Sequence, residues 1–314
     1  MQAHPLGKTG LSVTQVCVGT SPLGNFPSQY GYEVSTEQAV ATILRVLDGP
    51  VNFIDTSNNY FDAERRIGLA LKEYGGLPTG FVLATKVDPK PGSTDFSGAR
   101  ARVSIQESFE RLGVDHLQLA YVHDPEILDF EEATGPGGVV EAMVAMREEG
   151  LIDNIGIAGG PIDLMQRYVE LDIFQVVISH NRYTLVDQSA WRLIDDSAAR
   201  GVAFVNGAPY GGGMLVKGPD AHPNYCYRPA SEATRDRVRK MERACASHGI
   251  PLAAAALQFS LRESRIASTM VGMSSPERID QTIALVETPI PAELWEELEL
   301  FASEGREGVE HEEP

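Results

Sequence analysis

The sequence predicts an α/β protein built as a closed (β/α)8 barrel. Three observations carry that prediction. Short runs rich in Val, Ile and Phe alternate with longer segments of helical period. Eight such pairs fit within the 314 residues, and barrels of this kind need ~250 residues plus insertions. The rival, a doubly wound open sheet, needs a Gly-rich phosphate fingerprint after its first strand, and no GxGxxG occurs. Nor is Gly7–Thr9 (GKT) a P-loop, since Gln2 stands where that motif requires glycine.

The strands are expected at 13–18, 52–56, 80–86, 117–123, 152–158, 174–179, 202–206 and 268–272. Helices are expected at 35–47, 62–74, 97–112, 138–149, 161–170, 187–200, 231–247 and 275–286. The first opens on STEQ, a capping box. The last opens with Ser275 as N-cap and Pro276 at the first helical position. Glycine follows several helices, in REEG, AARG and CASHG, where a left-handed C-terminal residue is favoured. No repeat or linker divides the chain. One domain is expected over 1–304, followed by an acidic flexible tail over 305–314 (GREGVEHEEP). The Gly- and Pro-rich stretch 207–229 is either a functional lid or disordered.

Composition narrows the function. The net charge of −18, from 26 Lys+Arg against 44 Asp+Glu, argues against nucleic acid and against an anionic membrane as partners. Three widely spaced cysteines, Cys17, Cys226 and Cys245, make no disulfide framework. The opening residues do not read as a signal peptide, and no apolar run is long enough to span a bilayer. A cytoplasmic protein is expected. His222 and Cys226 (HPNYC) offer two metal ligands without further partners, which is too few for a site.

In such barrels, polar residues at the C-terminal ends of the strands line the active site. Those ends supply Asp55, Lys86 and His123, with Tyr60 five residues beyond Asp55 in DTSNNY. Each residue alone has a bland reading as a turn, rim or packing residue. Together they make a proton-transfer device. A phenol has a pKa near 10 and serves poorly at neutral pH unless a cation favours phenolate. Lys86 is that cation, Asp55 a carboxylate to hold it, and His123 an imidazole to orient a substrate oxygen.

With LGKTGLSV, FIDTSNNY, ATKV, YVHDP and VGMSSPERIDQTI, the chain resembles the aldo-keto reductase superfamily over residues 6–298. Within it, SHNRYTLVD and NGAPYGGGML are similar to the bacterial group of L-fucose, D-threo-aldose and D-galactose 1-dehydrogenases. The resemblance implies a barrel with a short N-terminal β-hairpin and extended loops at its C-terminal face. It implies hydride transfer between a sugar C1 and a nicotinamide, giving a lactone. It also implies Tyr60 as general acid and base, Lys86 lowering its pKa, Asp55 pairing with Lys86, and His123 orienting the substrate oxygen.

The expected cofactor contacts are Gly19, Thr20, Asp55, His180, Gly207, Ala208, Gly211, Ser274 and Arg278. Relatives carry Ser-Asn after the fifth strand, where this chain has Gly159-Gly160. They carry Gln after the sixth, where it has His180. With Arg278 the one matching cation for a 2′-phosphate, NAD is expected over NADP, with both usable. Expected substrate contacts besides Tyr60 and His123 are Asn58, Asp124 and Arg182, with Phe26, Tyr30 and Tyr32 on the first loop able to stack on a sugar face. Relatives place Gly after the catalytic Tyr; Phe61 stands here, and a positive φ would strain it. The partner is a small-molecule sugar, and the protein a monomer or homodimer. Two other readings stay open: a dehydrogenase of another small carbonyl compound such as pyridoxal, and a nucleotide-binding regulatory barrel without turnover.

Overall fold

The computed structural model describes residues 1–90, 92–226, 228–306 and 308. It begins with an antiparallel hairpin, β1 (Ala3–Pro5) and β2 (Ser12–Thr14). Eight parallel strands follow: β3 (Val16–Gly19), β4 (Phe53–Asp55), β5 (Val82–Val87), β6 (Leu117–His123), β7 (Ile152–Gly159), β8 (Val176–His180), β9 (Ala203–Gly207) and, after a small hairpin of β10 (Asn224–Tyr225) and β11 (Arg228–Pro229), β12 (Ile266–Gly272). Each barrel strand pairs with its sequence neighbour, and β12 closes the ring between β9 and β3. This is a (β/α)8, or TIM, barrel.

The helices are α1 (Pro27–Tyr30), α2 (Thr36–Leu47), α3 (Ala63–Tyr74), α4 (Gly98–Leu112), α5 (Phe130–Thr134), α6 (Val139–Glu148) and α7 (Ile162–Val169). They continue as α8 (Trp191–Arg200), α9 (Met214–Lys217), α10 (Glu232–Ser247), α11 (Leu252–Leu261), α12 (Pro276–Glu287) and α13 (Ala292–Ala302). Among the described residues no single helix is long and apolar enough to cross a membrane.

Three departures from the expected elements have physical causes. The run at 13–18 is two strands, not one: Val13 belongs to the hairpin and the barrel wall begins at Val16. The chain turns there from beneath the barrel into its wall, and the Thr14 hydroxyl donates to the Val16 carbonyl at 2.8 Å. The expected seventh helix, α10, lies in an outer layer against α11 and α13. The element packed on β12 is α11, whose Ala253–Ala256 stretch is buried on every side. A helix apolar all round has no amphipathic period to read. Lastly, the stretch 207–229 is folded into a 3-10 turn (Gly211–Gly213), α9 and the β10–β11 hairpin. Of the acidic tail, Gly305 is buried and its carbonyl accepts the Gln188 N–H at 2.8 Å; residues 307 and 309–314 lie outside the described residues.

The barrel interior is filled by Leu6, Val13, Phe53, Leu119, Tyr121, Val176, Ile178 and Val205 among others, with the hairpin residues Leu6 and Val13 joining the same cluster. Space is rationed at one point. A Cβ on Gly156 of β7 would lie 2.6 Å from a ring carbon of Tyr121 and 2.9 Å from the Val176 carbonyl. Replacing Gly156 by Ala should therefore cost roughly 1–3 kcal/mol through overpacking. Denaturant unfolding of the two proteins checks this, and equal midpoints would refute it.

Candidate active site

The site is assembled at the C-terminal rim of the barrel. Asp55 ends β4, Lys86 stands next to the end of β5, and His123 ends β6, so neighbouring strands deliver all three. Tyr60 follows β4 in a tight turn, its N–H donating to the Ser57 carbonyl at 3.1 Å. Gly24 lets that turn approach, because a Cβ there would collide with the Tyr60 carbonyl.

Asp55 and Lys86 form a buried ion pair. The Lys86 ammonium also donates to the Thr56 carbonyl at 2.7 Å and lies 4.8 Å from the centre of the Tyr60 ring. The Tyr60 and His123 rings meet edge to face with centres 5.6 Å apart. His123 is held from behind: its Nδ1 bonds Asp88 Oδ1 at 2.6 Å, and Ser57 Oγ donates to Asp88 Oδ2 at 2.5 Å. The Asn59 N–H adds a bond to Asp88 Oδ2 at 3.1 Å, and the Asp88 N–H donates to Ser104 Oγ at 3.1 Å. That network leaves His123 Nε2 facing the mouth, with Asp124 Oδ1 at 3.7 Å.

Charge placement sets the protonation states. Burial opposes the imidazolium of His123, but the Asp124 and Asp88 carboxylates outweigh it and raise the pKa above its usual value. Burial likewise opposes the Asp88 carboxylate, yet His123 and Ser57 hold it below the ordinary range. Tyr60 corrects an expectation. Burial, reinforced by the Asp55, Asp124 and Asp88 carboxylates, pushes the phenol well above its ordinary value. Lys86 is near enough to matter, but its charge is engaged by Asp55. In the protein alone Tyr60 therefore holds its proton.

The residues around the mouth sort into two groups. Burial depresses the His180 pKa; the Asp124 carboxylate opposes this, and the charges of His123 and Arg182 reinforce it. Asp124 takes a left-handed conformation (φ 42°) at the rim. Asn58, expected at the substrate, points the other way; its amide donates to the Ser104 carbonyl of α4 at 3.2 Å. Thr20, expected at the cofactor, is buried and spends its hydroxyl on the Asp55 main-chain carbonyl at 2.9 Å. Both serve the scaffold because the turns holding them run into the barrel wall. Phe61 has φ 48°, the conformation glycine favours, and its ring packs on Phe26 with centres 4.5 Å apart.

A second area suits an extended phosphate-bearing ligand. Ala208, Gly211, Gly212 and Gly213 all have positive φ, and Tyr210 between them feels the charge of Arg278 on α12, so this loop and the start of α12 face each other. Ser275 precedes α12 in extended conformation and caps no N–H with its side chain, while the Glu277 carboxylate of the first turn bonds the Ser275 side chain and its own N–H, which lowers its pKa. Ser274 at that entry accepts a bond from the Gln38 amide at 2.8 Å through its carbonyl. Arg278 is exposed and bonds Gln281 at 3.0 Å. Gly19 and Gly207 end β3 and β9 at the same rim, and a Cβ on Gly207 would press on His180 at 3.1 Å.

The sequence pattern of the aldo/keto reductase family matches residues 15–302. The chain belongs to that family. This aldo/keto reductase is 30% identical to the L-galactose dehydrogenase of Arabidopsis thaliana, over 91% of this chain and 88% of that one. It is 29% identical to the D-threo-aldose 1-dehydrogenase of a Pseudomonas species, over 92% of this chain and 94% of that one. Its fold matches that of the aldo-keto reductase AKR11C1 from Bacillus halodurans in its holo form, with a TM-score of 0.78, 23% identity and 99% of each chain covered. The chain is thus an oxidoreductase of the aldo/keto reductase type.

Sequence reading missed Asp88, Ser57 and Glu126. Asp88 carried a usable signal, since it stands two residues beyond Lys86 and shares its side of the strand. The Asp88–His123 pair yields a prediction. The raised His123 pKa contributes stability that is complete below the unfolded value of about 6.5 and is lost as pH rises through the folded value. Replacing Asp88 by Asn should thus cost about 1.5–3 kcal/mol below pH 6, with the gap narrowing toward alkaline pH. Thermal melts of both proteins across pH 5–9 measure it; a gap independent of pH would disprove it.

Proposed function

We propose that this enzyme is an NAD(P)-dependent dehydrogenase that oxidises a small aldose at C1 to its lactone, with sugars of the L-fucose, D-threo-aldose or D-galactose type as substrates. The reading is carried by one observation: Tyr60, Lys86 and His123 converge at one mouth with the Lys86 ammonium 4.8 Å from the phenol ring. The two sugar dehydrogenases among the relatives support the substrate class.

Tyr60 exchanges a proton with the substrate oxygen. His123 Nε2 holds that oxygen, since Nδ1 is committed to Asp88. Lys86 stabilises the phenolate form of Tyr60, and Asp55 holds Lys86 in place. The cofactor, when bound, supplies the hydride acceptor. The Gly207–Gly213 loop and the start of α12 suit its phosphates, His180 suits its carboxamide, and a single exposed Arg278 favours NAD over NADP.

Because burial keeps Tyr60 protonated in the protein alone, aldose oxidation should speed up as pH rises and carbonyl reduction should slow. The test is steady-state turnover of an aldose panel and pyridoxal, with NAD and NADP separately. Activity on an aldose with NAD upholds the reading; pyridoxal turnover without aldose turnover overturns it. Tyr60→Phe should lower kcat by about 10²–10⁴ while nucleotide binding, followed by fluorescence titration, is kept. A regulatory barrel would show no turnover to lose.

A further inference from the structure

Below the rim, the barrel interior holds a phenol outside the proton-transfer set. Tyr121 stands on β6 two residues before His123 and so faces inward like it. It pairs across the sheet with Lys86 of β5 on one side and Gly156 of β7 on the other. The side chain is fully buried, and its ring takes the space that Gly156 leaves, where a Cβ would lie 2.6 Å from a ring carbon. Leu119, Val176, Ile178 and Val205 belong to the same interior cluster. Among such neighbours a phenylalanine would pack as well and would carry no hydroxyl to desolvate.

The Tyr121 hydroxyl and Asp55 Oδ2 are both buried, and neither has a hydrogen-bond partner among the described residues. Asp55 spends Oδ1 on the Lys86 ammonium, so Oδ2 is the oxygen it has left. The two groups feel each other: after burial, the Asp55 carboxylate does most to raise the Tyr121 pKa, followed by Cys17. Cys17 stands on β3 in the same interior cluster, and the Asp55 N–H faces its sulfur. Carboxylate, phenol and thiol thus look onto one spot between β3, β4 and β6. A buried water binds where polar groups converge and typically makes about three hydrogen bonds. Here a phenol can donate to it, a carboxylate oxygen can accept from it, and a thiol stands at its third position.

We propose that Tyr121 is a positioning residue: its hydroxyl is hydrogen-bonded to Asp55 Oδ2 through one buried water, and this bond from inside the barrel holds the carboxylate against Lys86. The proposal rests on the reading in which Tyr60 moves the proton, and it adds the support of that device from below. The charged and titratable groups facing Asp55 are Lys86 of β5, His123 of β6, Cys17 of β3, Asp88 and Tyr60. A donor supplied by Tyr121 takes up part of the carboxylate's charge. Without it Asp55 draws harder on Lys86, and Lys86 supports the Tyr60 phenolate less.

The test compares wild type with Tyr121→Phe, which keeps the ring against Gly156 and so should fold. Turnover is followed with the best aldose of the panel, or with pyridoxal where no aldose is turned over. For Tyr121→Phe, kcat for oxidation at pH 7 should fall about three- to tenfold with KM nearly unchanged, as expected on loss of one hydrogen bond that acts on the proton transfer. The apparent pKa in the pH profile of kcat/KM should move up by about half a unit or more. A lower melting temperature with an unmoved pH profile would assign Tyr121 to packing and overturn the proposal. So would an unchanged kcat. Should Tyr60→Phe leave turnover intact, the reading of Tyr60 fails instead, and the bridge is still tested without turnover. A crystal structure of the wild-type protein should show a water within about 2.6–3.2 Å of both Asp55 Oδ2 and the Tyr121 hydroxyl. A Tyr121 hydroxyl bonded only to another group, or to none, overturns the proposal whatever the kinetics.

Discussion

The buried pair of Lys86 and Asp55 is the constraint from which the site is built. Removing an ion from water into a protein interior costs on the order of several kcal/mol even after relaxation. Two apolar residues of the same volume would serve stability as well or better. What the pair provides is position. It fixes one positive charge at the rim of β5, 4.8 Å from the Tyr60 ring, on a strand too stiff to let it move. The carboxylate that holds the ammonium also opposes ionisation of Tyr60, which burial already disfavours.

A second charge pair, Asp88 with His123, stands beside the first, and the two are connected. Ser57 reaches Asp88 Oδ2 at 2.5 Å from the turn after β4, while Lys86 and Asp88 belong to one strand segment. Buried polar networks stabilise only when their members are satisfied together. Here the turn carrying Tyr60, the end of β5 and the end of β6 are tied into one unit, so the geometry of the rim is a property of three consecutive strands rather than of four separate residues. Gly24 belongs to the same unit from the other side, since any side chain there would push Tyr60 out of the turn.

The barrel was legible because each strand is a compact apolar run and each surface helix has a polar face. Asp55, Lys86 and His123 stood out as ionisable residues ending otherwise apolar runs. What escaped shares one property: its meaning lies in a neighbour distant in sequence. The helix α11 has no polar face because β12 lies on one side and α9, α10 and α12 pack around the rest. Asn58 and Thr20 looked like ligand contacts from their place in the chain, but their partners are the Ser104 and Asp55 carbonyls. Glu126 could not be singled out at all, because the group its carboxylate bonds, the Gly160 N–H, is more than thirty residues away.

Phe61 shows how such a departure is accommodated. At φ 48° a side chain costs on the order of 1 kcal/mol or more relative to glycine. The cost falls on the residue next to Tyr60, where any relaxation would tilt the phenol. The ring offsets part of it by packing on Phe26 at 4.5 Å, since an aromatic pair of this kind contributes ≈ 0.5–1.5 kcal/mol beyond its area. That contact also ties the first loop to the catalytic turn. Yet the ring remains 57% exposed, which is a poor return if packing were its whole purpose. The strain at Phe61 and its exposed ring therefore belong to the rim beside Tyr60 and not to the core, where packing alone would have favoured glycine.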